Sequence, residues 1–371
     1  MSSSGFVIDP DIRRAHTPPP HIYSDAAVYE LQRDAVFARA WHFVGDARQV
    51  RTPGSVVPHV LLPGCLDEPV VLTCDDDSSV HCLSNVCTHR GTIVVEGSGH
   101  VRHLRCRYHG RRFALAGTMT HMPEFDDVVD FPSPADNLPR LHTARWGPLL
   151  FASIDPLCTF DEWIAPVRDR VAFIPFDSYE PDASYTQDYA IRANWAMYCE
   201  NYLEGFHVPY VHGASLTGLD YGAYTTELFD WCNLQKGIGR KGEPAFDIPE
   251  GHRDHGEHVV AYYFWLFPNF MVNVYPGFIS LNIVRPETPQ RTRVSFLRYV
   301  EPGAPLYEGS VAADLHRVEM EDEEIVESAQ QGSRARLYRG GRYSPAREQG
   351  THHFHQLLAR SMGSGGAAPP R

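Results

Sequence analysis

The spacing of apolar residues divides the chain into stretches of different period. Residues 1 to about 25 hold Pro18-Pro19-Pro20 and few periodic apolar positions, which predicts an extended arm. Residues 25–40 place Val28, Leu31, Val36 and Phe37 on helical spacing behind an Asp cap and read as a helix. From there to about Phe151 the runs shorten. Alternating or apolar segments at 55–62, 70–73 and 149–153, separated by Gly, Pro and Asp, predict a compact all-β domain. Beyond it, helices are expected at 161–173 and 194–206 and a strand at 185–191. Strong strand patterns then follow at 259–267, 271–275, 279–284 and 292–300. Their succession favours an antiparallel sheet on which a helix over 310–331 would pack, so the fold class is α+β. The expected organisation is an arm and helix over 1–40, the β domain over 41–155, a second domain over 156–360 and a disordered tail over 361–371.

Composition narrows the function classes. At 371 residues there is material for two domains with ample core. No apolar run approaches the ~18 residues of a membrane span. Met1-Ser2-Ser3-Ser4-Gly5 has no basic region ahead of an apolar stretch, so neither a membrane anchor nor export is expected. Eight scattered cysteines suit a reducing compartment, and the cytoplasm fits best. A formal net charge of −13 argues against nucleic acid or anionic lipid as a partner, because both need a basic footprint. Arg102, Arg105, Arg107, Arg111 and Arg112 form a local basic patch, which could dock an acidic electron-transfer protein or simply pack a loop. Gly237-Ile238-Gly239-Arg240-Lys241-Gly242 has the spacing of a dinucleotide cradle, but Pro244 follows and no helix pattern begins, so that reading fails. His252, His255 and His258 lie in a charged, Gly-containing stretch and read as a solvated loop.

Chemistry concentrates in two places. Cys87-Thr88-His89 and Cys106-Arg107-Tyr108-His109 set two thiols and two imidazoles in a C-x-H…C-x-x-H arrangement that suits a Rieske [2Fe–2S] centre, cysteines on one iron and histidines on the other. Structural zinc also takes two Cys and two His, but its half-sites usually pair ligands of one kind, whereas each half here mixes them. Around these ligands Arg90-Gly91, Gly110-Arg111-Arg112-Phe113 and Gly117 complete a pattern that resembles the Rieske domain of the Rieske non-heme iron oxygenases, from about Trp41 to about Phe151.

The second concentration runs from Glu200 to His212. On an unbroken helix His207 and His212, five apart, would point about 140° away from each other. Pro209 offers a break that lets His212 return towards His207. Iron that activates O₂ commonly takes two histidines and a carboxylate. In the acidic run Glu319-Met320-Glu321-Asp322-Glu323-Glu324, Asp322 shares a helical stripe with Leu315, Val318, Ile325, Val326 and Ala329. The other acids of that run read as a solvated face.

With these residues the resemblance extends from Trp41 to about Leu358, to the large subunit of a Rieske oxygenase. Asn201, Glu204, His207 and His212 match the family's catalytic helix, and Glu321-Asp322 with Glu327-Ser328-Ala329-Gln330 match the segment carrying its third ligand. The resemblance implies mononuclear Fe(II) on His207, His212 and Asp322, in a helix-grip-like catalytic domain. Glu204 stands where the family keeps a bridging acid that is often Asp. The choline and carnitine monooxygenase branch resembles this chain there and in Gly341-Arg342-Tyr343-Ser344, Arg347-Glu348 and His352-His353-Phe354-His355. Also implied are a head-to-tail homotrimer in which Glu204 joins His109 of one chain to His207 of the next, and a separate NAD(P)H-dependent reductase, with or without a ferredoxin. The expected function is O₂-dependent monooxygenation of a small organic substrate such as a methylated amine. An aromatic ring-hydroxylating dioxygenase is the alternative, and a non-catalytic Rieske electron carrier the alternative of another class. Tyr202, Phe206, Tyr210, Tyr262, Trp265, Phe267, Phe270 and Tyr275 are candidates for an aromatic wall or for plain core.

Overall fold

A computed structural model describes residues 5–213, 216, 218–304 and 315–363. The start of the helix expected over 310–331, the opening Met1-Ser2-Ser3-Ser4 and the tail beyond Gly363 lie outside the described residues. The chain forms two compact units, one made by Ala38–Leu157 and the other by the segments on either side of it.

Short strands broken by turns build the first unit. β1 (His42–Asp46), β9 (His142–Trp146) and β10 (Leu149–Ser153) form a sheet in the order β1-β10-β9. β2 (Ser55–Leu61), β3 (Glu68–Cys74), β4 (Val80–Ser84) and β5 (Gly99–His100) pair as β4-β3-β2-β5. The small ladder β6 (Leu104–Arg105), β7 (Arg112–Phe113) and β8 (Met119–His121) carries the second ligand motif. Val71, Leu83, Leu104 and Phe113 cluster with Cys87 and Cys106, so the thiols are embedded in core rather than hung on the surface.

In the second unit β11 (Glu180–Ile191), β12 (Thr225–Leu228), β13 (Cys232–Ile238), β14 (Val259–Leu266), β15 (Phe270–Tyr275), β16 (Phe278–Thr288) and β17 (Arg291–Val300) make one antiparallel sheet, ordered β11-β17-β16-β15-β14-β13-β12. Among the described residues six α-helices accompany it: α1 (Ala26–Ala35), α2 (Phe160–Arg170), α3 (Trp195–Tyr202), α4 (Val208–Val211), α5 (Leu315–Ser333) and α6 (Gln349–Gly363). α3 packs between α5 and α6. α2 docks on β14, where Trp163 stacks on Phe270 and donates its indole N–H to the Phe267 carbonyl.

Several expectations shift. The arm is not merely extended: Pro20–Tyr23 forms a 3₁₀ turn that packs on α5, and His16 pairs with Arg342. The helix expected over 194–206 ends at Tyr202. β13 escaped the pattern because Asn233, Gln235 and Lys236 are buried polar residues, which erases the alternation that marks a strand. No helix follows it: Gly237 and Ile238 still belong to β13, and the chain turns at Lys241-Gly242.

Candidate functional site

Both ligand loops of the first unit have the same backbone. Cys87 N donates to Thr92 O and Gly91 N to Cys87 O; likewise Cys106 N donates to Arg111 O and Gly110 N to Cys106 O. Gly91 (φ +70°) and Gly110 (φ +74°) supply the left-handed residue each turn requires. Two matched turns thereby set Cys and His side by side twice. The thiols are buried and within hydrogen-bonding reach of each other, and His89 Nδ1 faces His109 Nδ1 at 3.1 Å. Arg111, 2% exposed, clips the loops together by donating to Thr88 Oγ1 (2.7 Å) and Asp136 Oδ1 (2.9 Å). Of the basic patch, then, Arg111 packs a loop, whereas Arg107 pairs with Glu96 at the surface.

Electrostatics favour a metal cluster here. Burial pushes the Cys87 thiol up, so a thiolate at this position needs a cation to hold it. Burial, with the positive charges of His109, Arg111 and Arg90, keeps His89 below the usual histidine range and therefore in its neutral, ligating form. Two imidazole nitrogens aimed at one another beside two thiols are the donor set of a mixed Cys₂His₂ cluster.

In the second unit, the chain leaves α3 at Tyr202 and turns through Leu203-Glu204-Gly205-Phe206. Glu204 Oε2 accepts from the backbone N–H of Phe206 and of His207, closing that turn. A one-turn helix follows, with Pro209 inside it, His207 capping its start and His212 its end. The break therefore precedes Val208 rather than falling on it, and Val208 is itself helical. Across this turn the two imidazoles sit 5.1 Å apart by centroid.

Asp322 completes the group. Its Oδ1 lies 3.0 Å from His212 Nε2 and 3.5 Å from His207 Nε2, and one donor atom from each of the three residues falls within 4.8 Å of the others. The outer nitrogens are engaged as well: His207 Nδ1 with Glu204 Oε1 at 2.7 Å, His212 Nδ1 with Glu321 Oε2 at 2.7 Å. Carboxylates on Nδ1 fix the ring orientation and leave Nε2 for a metal. Burial opposes charging of His212, but Asp322 and Glu321 outweigh it and hold its pKa above the usual range, where a cation of either kind is welcome. Two imidazoles and a carboxylate with converging donor atoms fit a mononuclear iron.

The stripe assigned to α5 needs correction. Its buried residues are Glu319, Val326, Gln330 and Ser333, while Ile325 is 44% exposed. The buried face thus lies to one side of the expected stripe, and Asp322 belongs to it with a side chain 15% exposed. Glu319, read as solvated, is buried and receives the Tyr198 hydroxyl on Oε2 at 2.8 Å. Glu321, also read as solvated, touches His212. Helical spacing carried the signal for Glu319, three residues before Asp322; nothing local could have revealed Glu321.

Next to the three residues lies a cavity of about 120 Å³, bordered by Asn201, Glu204, Glu319 and a set of tyrosines. It is on the scale of a cavity that admits one small ring, ~150 Å³. Of the aromatic candidates only Tyr202 and Tyr275 border it. Phe206 and Tyr210 are exposed, Tyr262 turns to the opposite sheet face to meet Asp254, and Trp265 packs on Phe354 of α6. Tyr198, Tyr224 and Tyr263 take their places.

Known proteins resemble the chain over both units. The profile described as Rieske [2Fe-2S] domain matches residues 40–132, and the one described as ring hydroxylating alpha subunit (catalytic domain) matches 176–364. Chloroplastic choline monooxygenase of Arabidopsis thaliana is 31% identical, over 95% of this chain and 85% of that protein. The carnitine monooxygenase oxygenase subunit of Escherichia coli K12 is 26% identical, over 94% of each. A quaternary ammonium Rieske monooxygenase solved with L-carnitine superposes with a TM-score of 0.74 at 23% identity, covering 95% of this chain and 97% of that one, and shares the fold. The chain belongs to the Rieske non-heme iron oxygenases: it is an oxidoreductase that incorporates O₂ and binds a [2Fe–2S] cluster and a mononuclear iron.

Proposed function

We propose that this oxygenase hydroxylates or N-demethylates a small methylated amine. Cys87, His89, Cys106 and His109 would hold the cluster, and His207, His212 and Asp322 the iron. The observation that carries the reading is the convergence of those last three residues beside a tyrosine-lined cavity. When bound, the iron activates O₂ and the cluster supplies the electron that Fe(II) lacks. The chain's own residues do the rest. Glu204 and Glu321 orient the two imidazoles through their Nδ1 atoms, and the aromatic walls keep water off the substrate and suit a cationic nitrogen. The names of the choline and carnitine relatives support the substrate class.

Electrons come, in this reading, from a separate NAD(P)H-dependent reductase, with or without a ferredoxin. The working form is a cytoplasmic homotrimer, with Glu204 linking His207 to His109 of a neighbouring chain and Asn201 bordering the same region. No described helix is long and apolar enough to cross a membrane.

The test is substrate-dependent O₂ uptake with a reductase and a panel of methylated amines, beside Asp322→Ala. That variant should lose mononuclear iron and uptake while the brown cluster spectrum persists. Iron retained in Asp322→Ala would overturn the ligand assignment. Uptake with neutral aromatics only would overturn the substrate class.

A further inference from the structure

Eight buried side-chain atoms among the described residues have no hydrogen-bond partner, and three of them belong to residues that border the cavity beside the iron-binding residues: Glu319 Oε1, Gln235 Oε1 and Ser280 Oγ. The three residues are 5%, 2% and 0% exposed. Two of them stand on one cross-strand row of the sheet, in which Gln235 faces Tyr263, Tyr263 faces Asn273 and Asn273 faces Ser280. Glu319 comes from α5, with its other oxygen held by the Tyr198 hydroxyl at 2.8 Å. A carboxyl buried with an idle oxygen is costly unless something charged or donating meets it. Three such atoms on residues that border one cavity mark it as the place where a ligand would find unpaired polar groups.

Their chemistry specifies the ligand. Two of the three atoms, on Glu319 and Gln235, are acceptors, and the third is a hydroxyl. Tyr224, Tyr263 and Tyr275 form a chain of rings with centroids 6.3 Å and 5.9 Å apart, a wall that attracts a cation. No Lys or Arg borders the cavity among the described residues, whereas Glu204, Glu319 and Asp322 all do. A carboxylate on the ligand would meet like charge with no partner, which selects against it. We propose that Glu319 is the specificity-determining anionic contact for a small cation that carries a hydrogen-bond donor and no carboxylate group. This rests on the amine reading above and narrows it towards choline-like and away from carnitine-like compounds.

Titration calorimetry on the anaerobic, oxidised holoprotein tests it without turnover, using three probes: choline, its neutral analogue with the nitrogen replaced by carbon, and carnitine. Wild type should bind choline roughly ten- to hundredfold more tightly than either other probe. Glu319→Gln should erase the preference over the neutral analogue while the cluster spectrum and iron content stay unchanged. Tyr198→Phe, which keeps the carboxyl but removes its hydroxyl partner, should weaken choline and leave the neutral analogue alone; it serves as the arm of the test if Glu319→Gln does not fold. A choline preference that survives Glu319→Gln overturns the Glu319 assignment and leaves the amine reading standing. Carnitine bound as tightly as choline overturns it too. Wild type that binds none of the three, yet consumes O₂ with a neutral aromatic, removes the amine reading as well.

Discussion

Within one acidic run, neighbouring side chains have separate fates. Glu319 is buried, Asp322 meets both histidines, Glu321 reaches His212 Nδ1 and is itself paired with Arg317 at 3.1 Å, and Glu324 is exposed. A carboxylate on the outer nitrogen of a ligating imidazole sets its tautomer, and its loss typically costs ~10–100-fold in metal affinity. Glu321→Ala should therefore weaken iron binding by about that factor in an anaerobic Fe(II) titration, with Glu324→Ala unchanged. Equal behaviour of the two variants would mean that Glu321 does not position His212. Glu319 makes a different prediction. Burial, with the charges of Asp322 and Glu323 adding to it and Tyr198 working the other way, holds its carboxyl well above the ordinary 4.5. A carboxyl raised in the fold contributes fully below 4.5, and that contribution is lost as pH climbs through the raised value. Substrate-free wild type should lose stability from pH 4.5 upwards relative to Glu319→Gln, whose amide mimics the neutral acid. Parallel denaturation curves for the two proteins across that range would contradict it. If the difference appears, it is stability given up for binding.

Packing at the level of helices decides where the turn that bears Glu204 sits. α6 approaches the end of α3 so closely that a Cβ on Gly350 would stand 2.4 Å from the Leu203 carbonyl oxygen, and Gly350 O in turn accepts from Asn233 Nδ2 of β13. Gly350→Ala is predicted to destabilise by ~1–3 kcal/mol through overpacking and to displace Leu203, the residue before Glu204. Gly332, near the end of α5, has nothing within 4 Å of its Cβ position. Gly332→Ala should instead stabilise by roughly 0.5–1 kcal/mol, the usual helical preference. Thermal unfolding of the pair checks both signs. The sequence showed α6 only as a His-rich run, because its buried His352 and His355 look polar on paper while bonding Asp9 O and Glu200 Oε1 inside the fold.

At the scale of the whole molecule, the proposed assembly makes Glu204 a link between chains. Light scattering on the holoprotein should give a mass three times the 41.8 kDa chain. Glu204→Gln keeps the volume of the side chain and loses the charge on the acceptor of the His207 Nδ1 bond. It should retain both metals and accept electrons from the reductase, yet leave the cluster reduced when substrate and O₂ are added. Reoxidation at the wild-type rate would exclude the link. The high net negative charge bears on solubility and on the choice of reductase, not on the fold.

The proposed ligands were legible in the sequence because metal chemistry constrains residue type and spacing locally. Cys87, His89, Cys106 and His109 point to a cluster by their mixed pairs, and the strands of the central sheet show as apolar density in β14 to β17. Residue type, helical period and the family resemblance together point to His207, His212 and Asp322. The sequence could not say how they meet, because 109 residues separate Glu321 from its partner His212 and helical period alone does not aim a side chain at a distant ring. Nor could it show which tyrosines border the cavity: Tyr262 and Tyr263 are adjacent, and only the side of the pleat that α3 and α5 cover decides that Tyr263 faces in. Tertiary packing removes the water from polar residues such as Gln235, Ser280 and Glu319. That removal turns them into a recognition site, and it depends on elements far apart in the chain closing over one another.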